Sequence, residues 1–476
     1  MANLTPLFIG GEPKLSVSTF DIINPVSGLV VGKSVNASRE DCQAAVDAAA
    51  RAFQTWEHST IAERRGIFLK AAELLATESY KNKVMETIQS ETAASLTWCT
   101  FNWTGSINNL RASTGFFGEL NGQILPSVVP GGELNVRRMA MGVILSIAPW
   151  NAPLTLALRA VLIPIICGNT VVLKSSEYSP RSQAVIVELL HEAGLPPGVL
   201  NYVSVSREDA PARTAELISH PAVRKITFTG SDRVGRIIAT EAARHLKPCI
   251  LELGGKAPVI VLDDANIAAA ARGIVHGAFA HSGQVCMSSE RVIVQAGVAP
   301  LLIDAITILC KGLNIGSLFS QCSADNVISM VKEAVEGGAE LLLGDLNIER
   351  ATVLPHLVQL GFKGSGTGKG LRVWEKESFG PVVVFVVVDT VDEAVELANA
   401  SEYSLASGVW SNDTYVAQRV AARVRAGFVN INGSTVHVEP PMSARGLGGS
   451  SGYGRFDVDA FTDLRVTVIH ARAPSD

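Results

Sequence analysis

A regular alternation of short apolar strands with helices begins at Gly142 and leaves this chain few possible folds. Strand-like and helix-like runs, each bounded by turn residues, follow one another as GVILSIAPW, NTVVLKSSE, PRSQAVIVELLHEAG, VLNYVSV, ARTAELISH, KITFTGS and VGRIIATEAARH. Strands that alternate with helices of this length indicate βαβ units. The sequence therefore predicts an α/β fold with a parallel, doubly wound sheet.

The second half of the chain repeats this pattern. Further buried strands are predicted at APVIVL, ERVIVQ, AELLLG, VVVFVVV and ASGVWS, with helices such as SADNVISMVKEAVEGG between them. This indicates a second α/β domain that starts near Leu251, which 476 residues allow at ~100–200 residues per domain. The first 120 residues instead read as helices joined by loops.

Two stretches fit neither domain. ELNVRRMAMG (133–142) and FTDLRVTVIHA (461–471) alternate like strands at an exposed sheet edge. Because such edges often pair with another subunit, we expect arms that join the protomers of a homodimer or homotetramer.

Composition and cysteine usage argue against several classes of protein. The net charge is −5 and no Lys/Arg-rich run is present, so nucleic acid is not an expected partner. The N-terminal residues MANLTPLFIGGEPK lack the pattern of a signal peptide. The seven cysteines are odd in number and scattered, without a CxxC spacing. This favours reduced thiols in a cytoplasmic protein over a disulfide framework or a metal site.

One apolar segment is long enough to suggest a membrane span. It is LTLALRAVLIPIICGNTVVL, from Leu154. Arg159, Pro164 and the Gly168-Asn169 break divide it, so we predict a buried helix, a turn and a buried strand, with no membrane partner.

Two segments are candidates for binding a nucleotide. In FTGSDRVG (228–235), Gly230 and Ser231 precede a helix whose free N–H groups could take a pyrophosphate; a strand–turn–helix connection without a ligand is the alternative. In LKSSE (173–177), Lys174 and Glu177 follow a strand, where ligands bind in parallel sheets; a solvated surface pair is the alternative. A carboxylate there would accept from two ribose hydroxyls and repel a 2′-phosphate.

A thiol and a carboxylate are candidates for chemistry. Cys286, in GQVCMSSER, follows a long apolar helix, although a buried thiol is more often inert than catalytic. Glu252 lies in the apolar strand CILELGG, where a carboxylate is costly. It is therefore either paired or a base with a raised pKa, and the two glycines after it allow a close approach.

These pieces form a larger pattern. PWN, LKxxE, FTGS, LELGGK, GQxC and ESFGPV occur in this order, and the chain resembles the NAD(P)-dependent aldehyde dehydrogenase superfamily over nearly its whole length. The likeness is greatest to salicylaldehyde, benzaldehyde and vanillin dehydrogenases. It rests there on HSGQVCMSSERVIV, NINGSTV (430–436), SGYGRFD (451–457) and Trp98 in ETAASLTW.

The resemblance implies NAD-dependent oxidation of an aldehyde to the carboxylic acid, with aromatic aldehydes as the expected substrates. Cys286 would attack the aldehyde, the Asn151 amide and the Cys286 N–H would form the oxyanion hole, and Glu252 would activate water. Residues implied in NAD binding are Lys174 and Glu177 at the adenine-side ribose, Gly230, Ser231 and Trp150 at the pyrophosphate, Glu377 at the nicotinamide ribose and Phe379 at the nicotinamide.

The implied substrate pocket contains Trp98, Arg159 and Tyr453. Arg159 lies eight residues after Asn151, two helical turns along, and can project toward the same cleft. It would stack on an aryl ring or donate to a ring substituent; an internal salt bridge is the alternative. Trp98 would offer a flat apolar wall, with a place in the first domain's core as its alternative.

The implied fold has three parts. They are a Rossmann-type NAD domain (1–124 and 143–250), a catalytic domain (251–455) and a β oligomerisation arm (125–142 and 456–476). Several positions depart from the family's pattern: Phe456 replaces a second glutamate, Ser175 a proline, RGLGGSSGYGR lacks a lysine, and 313–326 and 361–377 are irregular.

Three functions remain open. The first is oxidation of an aldehyde, aromatic or else aliphatic or semialdehyde, to the acid. The second is a CoA-acylating dehydrogenase, against which Glu252 argues, because such an enzyme must protect its thioester from water. The third is a protein that keeps the fold without turnover, against which the presence of Cys286, Glu252, Asn151 and Lys174 argues.

Overall fold

The structure is a computed structural model that describes residues 4–313, 315–361, 370–439 and 445–470. Residues 362–369 of the irregular 361–377 stretch, and residues 471–476 of the predicted arm, lie outside the described residues.

The strands follow in chain order. They are Leu4–Thr5 (β1), Leu7–Ile9 (β2), Glu12–Lys14 (β3), Thr19–Ile23 (β4), Val30–Val35 (β5), Gln123–Pro126 (β6), Glu133–Ala140 (β7), Val143–Ile147 (β8), Thr170–Lys174 (β9), Leu200–Val203 (β10), Val223–Thr229 (β11), Cys249–Glu252 (β12), Ala257–Val261 (β13), Ser289–Gln295 (β14), Glu340–Leu343 (β15), His356–Leu360 (β16), Val382–Val388 (β17), Ala406–Trp410 (β18), Phe428–Ile431 (β19), Gly452–Tyr453 (β20) and Thr462–Ile469 (β21).

The α-helices are Arg39–Trp56 (α1), Ile61–Leu75 (α2), Glu78–Thr92 (α3), Leu96–Ser113 (α4), Pro153–Ile166 (α5), Pro180–Glu192 (α6), Ala210–Ser219 (α7), Asp232–Arg244 (α8), Ile267–Phe279 (α9), Ala299–Lys311 (α10), Gln321–Glu336 (α11), Arg372–Glu375 (α12), Val391–Asn399 (α13) and Thr414–Ala421 (α14).

An eight-stranded sheet has the order β20-β12-β11-β8-β9-β10-β2-β3. The five strands from β12 to β10 are parallel, and the flanking strands are antiparallel. Side chains alternate between two cores: Ile144 packs with α2–α6, whereas Val143 and Leu145 pack with α1, α7 and α8. Helices therefore cover both faces, which confirms the predicted doubly wound sheet.

A seven-stranded sheet follows, with the order β15-β16-β17-β14-β13-β18-β19. All its neighbours are parallel except β15 and β16, and separate cores lie on its two faces. The chain changes sheets between Glu252 and Ala257, close to the predicted boundary at Leu251. Strand β20 returns to the first sheet, where Tyr453 pairs with Leu251.

The two edge-like stretches pair with each other. β21 and β7 run antiparallel from Thr462↔Ala140 to Ile469↔Glu133, and β6 completes a three-stranded sheet. Leu464 and Val466 of this sheet are 61% and 57% exposed. This third sheet therefore presents exposed apolar side chains, and it shares no strand with the two larger sheets.

The first 120 residues contain strands that the sequence did not predict. β1, β5 and β4 form a small sheet, and β2 extends the eight-stranded sheet by pairing Phe8 with Tyr202. The prediction of helices and loops alone was wrong here because these strands are two to six residues long. Their stability comes from distant partners: the Gly10 N–H donates to Asn201 Oδ1, 191 residues away, at 2.8 Å.

The long apolar segment from Leu154 forms α5, a turn and β9, as predicted. Both elements are almost wholly buried within the protein. In the described part of the chain, no helix has the length and hydropathy needed to cross a bilayer.

Candidate active site

Residues of α4, α5, the end of β12 and the segment around Cys286 enclose a cavity of about 110 Å³. Five of the predicted site residues line it: Cys286, Glu252, Asn151, Trp98 and Arg159. The other lining residues were not predicted from the sequence; they are Phe101, Asn109, Ser113, Phe116, Ala152, Thr155, Leu156, Leu162, Ile163, Val285, Met287, Val436 and Val438. Helical spacing from Trp98 and Arg159 could have indicated Phe101, Thr155 and Leu156.

Hydrogen bonds of the Gln284 side-chain amide hold the segment before Cys286 in position. Gln284 Nε2 donates to the carbonyls of His281 (3.1 Å) and Ser317 (3.3 Å), and its Oε1 accepts from the Phe319 N–H at 2.8 Å. Gly283 has a φ of +78°, and a Cβ there would lie 2.2 Å from the Gly380 carbonyl oxygen. The Gly-Gln pair therefore allows this segment to pack tightly against the 377–380 segment.

Asn151 lies between β8 and α5, and its side chain reaches the segment that contains Cys286. Its Nδ2 donates to the Gln284 carbonyl at 2.9 Å, and its own carbonyl accepts from Trp98 Nε1 at 2.8 Å. An amide Nδ2 carries two hydrogens. One is thus held by Gln284, and the other is available to an oxygen bound in the cavity.

Arg159 forms an ion pair with Glu252, and both side chains are nearly buried. Arg159 Nη2 also donates to Thr229 Oγ1 at 3.0 Å, and the guanidinium carbon lies 4.5 Å from the centre of the Phe456 ring. This is the internal salt bridge that the sequence left open, with Glu252 as the partner. Phe456, which departs from the family's pattern, supplies the aromatic face for the cation.

The environment of Cys286 disfavours its thiolate. Removal from water raises the pKa of the thiol above its ordinary value, and the carboxylates of Glu252 and Glu377 raise it further, whereas Arg159 opposes this. The thiol therefore has to lose its proton for the sulfur to act as a thiolate nucleophile.

The candidate adenine-side residues lie along one edge of the eight-stranded sheet. Lys174 is buried at the end of β9, where its Nζ donates to the Ser175 carbonyl at 3.3 Å. Burial lowers the pKa of Lys174, and the charge of nearby Glu177 opposes that shift. Ser231 caps α8 by accepting from the Val234 N–H at 3.4 Å and is itself exposed. Gly230 comes just before it and donates its N–H to the Glu252 carbonyl at 3.1 Å.

The candidate nicotinamide-side residues lie nearer the cavity. The Trp150 ring meets Phe379 edge-on at 5.8 Å and Phe319 at 4.3 Å between ring centres. Glu377 Oε1 accepts from the Gly255 N–H at 2.9 Å. Burial raises the pKa of Glu377 to about 8, with the charge of Glu290 as the next cause.

This arrangement fits a dinucleotide. An exposed helix N-terminus follows β11, Lys174 and Glu177 follow β9, and both strands end at the same edge of a parallel sheet. The carboxylate of Glu377 lies near Cys286, and the rings of Trp150 and Phe379 form an aromatic pair. NAD would therefore have residues of suitable chemistry for its ribose hydroxyls, its pyrophosphate and its nicotinamide ring.

Trp98 and Tyr453 have different surroundings. Trp98 is buried, stacks on Phe101 at 4.7 Å and on His281 at 5.2 Å, and lines the cavity. It therefore contributes both to the first domain's core and to the cavity wall. Tyr453 is not among the residues that line the cavity: it lies on edge strand β20 and is 49% exposed. The prediction for Tyr453 rested on the motif alone, and pairing with β12 places it elsewhere.

A thiol and a buried carboxylate beside a dinucleotide-type sheet edge indicate an oxidoreductase that works through a covalent intermediate. The chain belongs to the aldehyde dehydrogenase family, whose model matches residues 13–467. It is 41% identical to the vanillin dehydrogenase of Pseudomonas fluorescens in an alignment 476 positions long, which covers 97% of this chain and 96% of the relative.

Solved structures agree with this membership. The salicylaldehyde dehydrogenase of Pseudomonas putida G7, complexed with salicylaldehyde, is 37% identical with a TM-score of 0.94, over 100% of this chain and 99% of that one. An NAD-dependent aldehyde dehydrogenase of Sinorhizobium meliloti is 30% identical with a TM-score of 0.92, over 100% of this chain and 96% of that one.

Proposed function

We propose that this enzyme oxidises an aromatic aldehyde to its carboxylic acid, with NAD as the hydride acceptor. The observation that carries this proposal is the placement of Cys286, Glu252 and Asn151 around one small, mostly apolar cavity. The named relatives act on vanillin and salicylaldehyde, which supports the substrate class. The Sinorhizobium relative, which is NAD-dependent, supports the cofactor.

The residues define two half-reactions. Cys286 Sγ attacks the aldehyde carbon while its proton passes to solvent water, and the carbonyl oxygen becomes an alkoxide that accepts from the free Asn151 N–H and the Cys286 N–H. NAD, when bound, supplies the acceptor for the hydride that leaves this thiohemiacetal. Glu252 then takes a proton from water, the hydroxide adds to the thioester, and the carbon–sulfur bond breaks to release the acid and Cys286.

The cavity suits a single aromatic ring. Its volume of about 110 Å³ is of the same order as the ~150 Å³ apolar cavity that admits benzene. Trp98 and Phe101, stacked at 4.7 Å, form a flat wall, with Phe116 and Leu156 among the other apolar residues. Arg159 is paired with Glu252 and packed against Phe456, so the proposal does not require it to contact the substrate. Burial of the aryl ring against the apolar side chains is sufficient to explain a preference for aryl groups.

We expect benzaldehyde and salicylaldehyde to be oxidised with roughly ten- to hundredfold higher kcat/KM than acetaldehyde and propanal. Burying an aryl ring contributes ~1.5–3 kcal/mol, and ~1.4 kcal/mol corresponds to a tenfold change. NADH absorbance under saturating NAD measures this, with and without CoA. Equal kcat/KM for the aliphatic aldehydes would contradict the aromatic assignment. A requirement for CoA would indicate the acylating reaction. No NADH formation with any aldehyde would indicate a protein without turnover.

Glu177 should make the enzyme prefer NAD to NADP. Its carboxylate accepts from the 2′- and 3′-hydroxyls of the adenine-side ribose and repels a 2′-phosphate. The Glu177→Gln variant should narrow the difference in kcat/KM by roughly tenfold, mainly through a gain with NADP. A wild-type enzyme that is more efficient with NADP would contradict this role for Glu177.

The remaining parts of the proposal concern assembly and compartment. The β6–β7–β21 sheet, with the exposed apolar side chains of Leu464, Val466 and Val468, supports its use as an arm in a homodimer or homotetramer. All seven cysteines are described and unpaired, which supports a reducing, cytoplasmic setting.

A further inference from the structure

Three catalytic segments meet at one buried ion pair outside the substrate cavity. Lys256 Nζ pairs with a carboxylate oxygen of Glu290, and the two side chains are 0% and 2% exposed. Lys256 lies four residues after Glu252, and Glu290 lies four residues after Cys286. The pair therefore joins the segment of the candidate base to that of the nucleophile.

Glu290 also holds the third segment. Its Oε1 and Oε2 accept from the Ser378 N–H at 3.1 and 2.9 Å, directly after Glu377 in the chain. A buried carboxylate that takes both a cation and a backbone N–H has most of its hydrogen-bonding capacity satisfied. The position of the Glu377 backbone thus depends on Glu290.

The two glycines before Lys256 separate Glu377 from the nucleophile. A Cβ on Gly254 would lie 2.5 Å from Glu377 Oε2, and one on Gly255 would lie 1.9 Å from the Cys286 carbonyl oxygen. The Gly255 N–H donates to Glu377 Oε1 at 2.9 Å. A shift of Lys256 would therefore move this two-glycine spacer against Glu377 on one side and Cys286 on the other.

We propose that Lys256 and Glu290 are positioning residues that hold the Glu377 carboxylate for the nicotinamide ribose and fix its placement relative to Cys286. This inference rests on the cofactor role proposed for Glu377. Neither residue lines the substrate cavity, so each acts through Glu377 rather than on the aldehyde.

The pair also acts on Glu377 through its charges. Burial raises the pKa of Glu377 to about 8; Glu290 and Asp232 raise it too, while the Gly255 N–H and Lys256 lower it. The titratable groups that face Glu377 are Glu290, Lys256, Asp232, Tyr403 and Cys286. Because an ionised carboxylate makes the stronger hydrogen bonds to ribose hydroxyls, NAD affinity should rise with pH through about 8.

The two partners should move this pH dependence in opposite directions. Glu290→Gln removes a negative charge, which favours the ionised form of Glu377 and moves the midpoint to lower pH by about one unit. Lys256→Met removes a positive charge and moves it to higher pH by a similar amount. If Lys256 and Glu290 only stabilised the fold, the two variants would not move the midpoint in opposite directions.

The test measures the Kd of NAD by calorimetry between pH 6 and 9.5 for the wild type, Glu290→Gln, Lys256→Met and the double variant. We expect opposite shifts in the single variants, a midpoint between them in the double variant, and a weaker NAD affinity with little change in the KM of the aldehyde. Circular dichroism verifies folding. If Lys256→Met does not fold, the direction of the shift in Glu290→Gln decides.

Two further variants make each outcome interpretable. Glu91→Gln is the matched control, because Glu91 is a buried carboxylate that also accepts backbone N–H groups, from Arg181 and Ser182, but has no contact with Glu377; its midpoint should not move. Glu377→Gln should abolish the pH step. If the pH step in NAD affinity persists in Glu377→Gln, the ribose role of Glu377 is wrong. If the step vanishes in Glu377→Gln but Glu290→Gln keeps the wild-type midpoint, the positioning role of Lys256 and Glu290 is wrong.

Discussion

The Cys286→Ser variant is expected to fold and bind NAD but to lose aldehyde oxidation by on the order of 10⁴-fold or more. A serine hydroxyl has a far higher pKa than a thiol, and the cavity already disfavours ionisation at this position. NADH absorbance measures the loss, and calorimetric titration with NAD verifies the cofactor site.

Cys310→Ser is the matched control for this substitution. Cys310 is a buried thiol on α10 that does not line the cavity, so this variant should retain near-native turnover. Near-native turnover of Cys286→Ser would remove Cys286 from the mechanism. Cys249 and Cys310 would then need examination as nucleophiles.

Glu252→Gln should separate the two half-reactions. Hydride transfer requires only the thiohemiacetal, whereas release of the acid requires activated water. We expect a burst of about one NADH per active site, followed by a steady state ~10²–10⁴-fold slower than in the wild type. Stopped-flow absorbance measures both phases.

Glu91→Gln again serves as the control, since it neutralises a buried carboxylate outside the cavity. An undiminished steady-state rate in Glu252→Gln would exclude Glu252 as the base. Loss of the burst itself would mean that Glu252 also acts before hydride transfer, for example by accepting the thiol proton.

The two large sheets could be predicted because their central strands are buried on both faces and separated by helices. That arrangement leaves continuous apolar runs, such as VVVFVVV in β17, bounded by turn residues. The N-terminal strands carry no such run. β2 has three residues, and its partner strand β10 lies almost 200 residues further along the chain, so only the folded structure defines its pairing.

The candidate catalytic residues could be proposed from short motifs, but their mutual contacts could not. Arg159 lies on an α-helix and Glu252 on a strand, and the two residues are 93 positions apart in the sequence. The sequence therefore did not decide whether Arg159 forms a salt bridge or contacts the substrate. Similarly, nothing in the sequence indicated that Lys256 pairs with Glu290, 34 residues away. Such pairings depend on how the segments between the sheets pack together.

Mass analysis of the Glu252→Gln variant, quenched in acid just after the burst, tests most directly that catalysis passes through a thioester on Cys286. Because the variant lacks the base that activates water, hydrolysis should be slow and the thioester should accumulate. We expect the Cys286 peptide to carry the acyl group of the aldehyde supplied, in about one copy per NADH formed, and to lose it on treatment with hydroxylamine. A full burst of NADH with an unmodified Cys286 peptide would contradict the account.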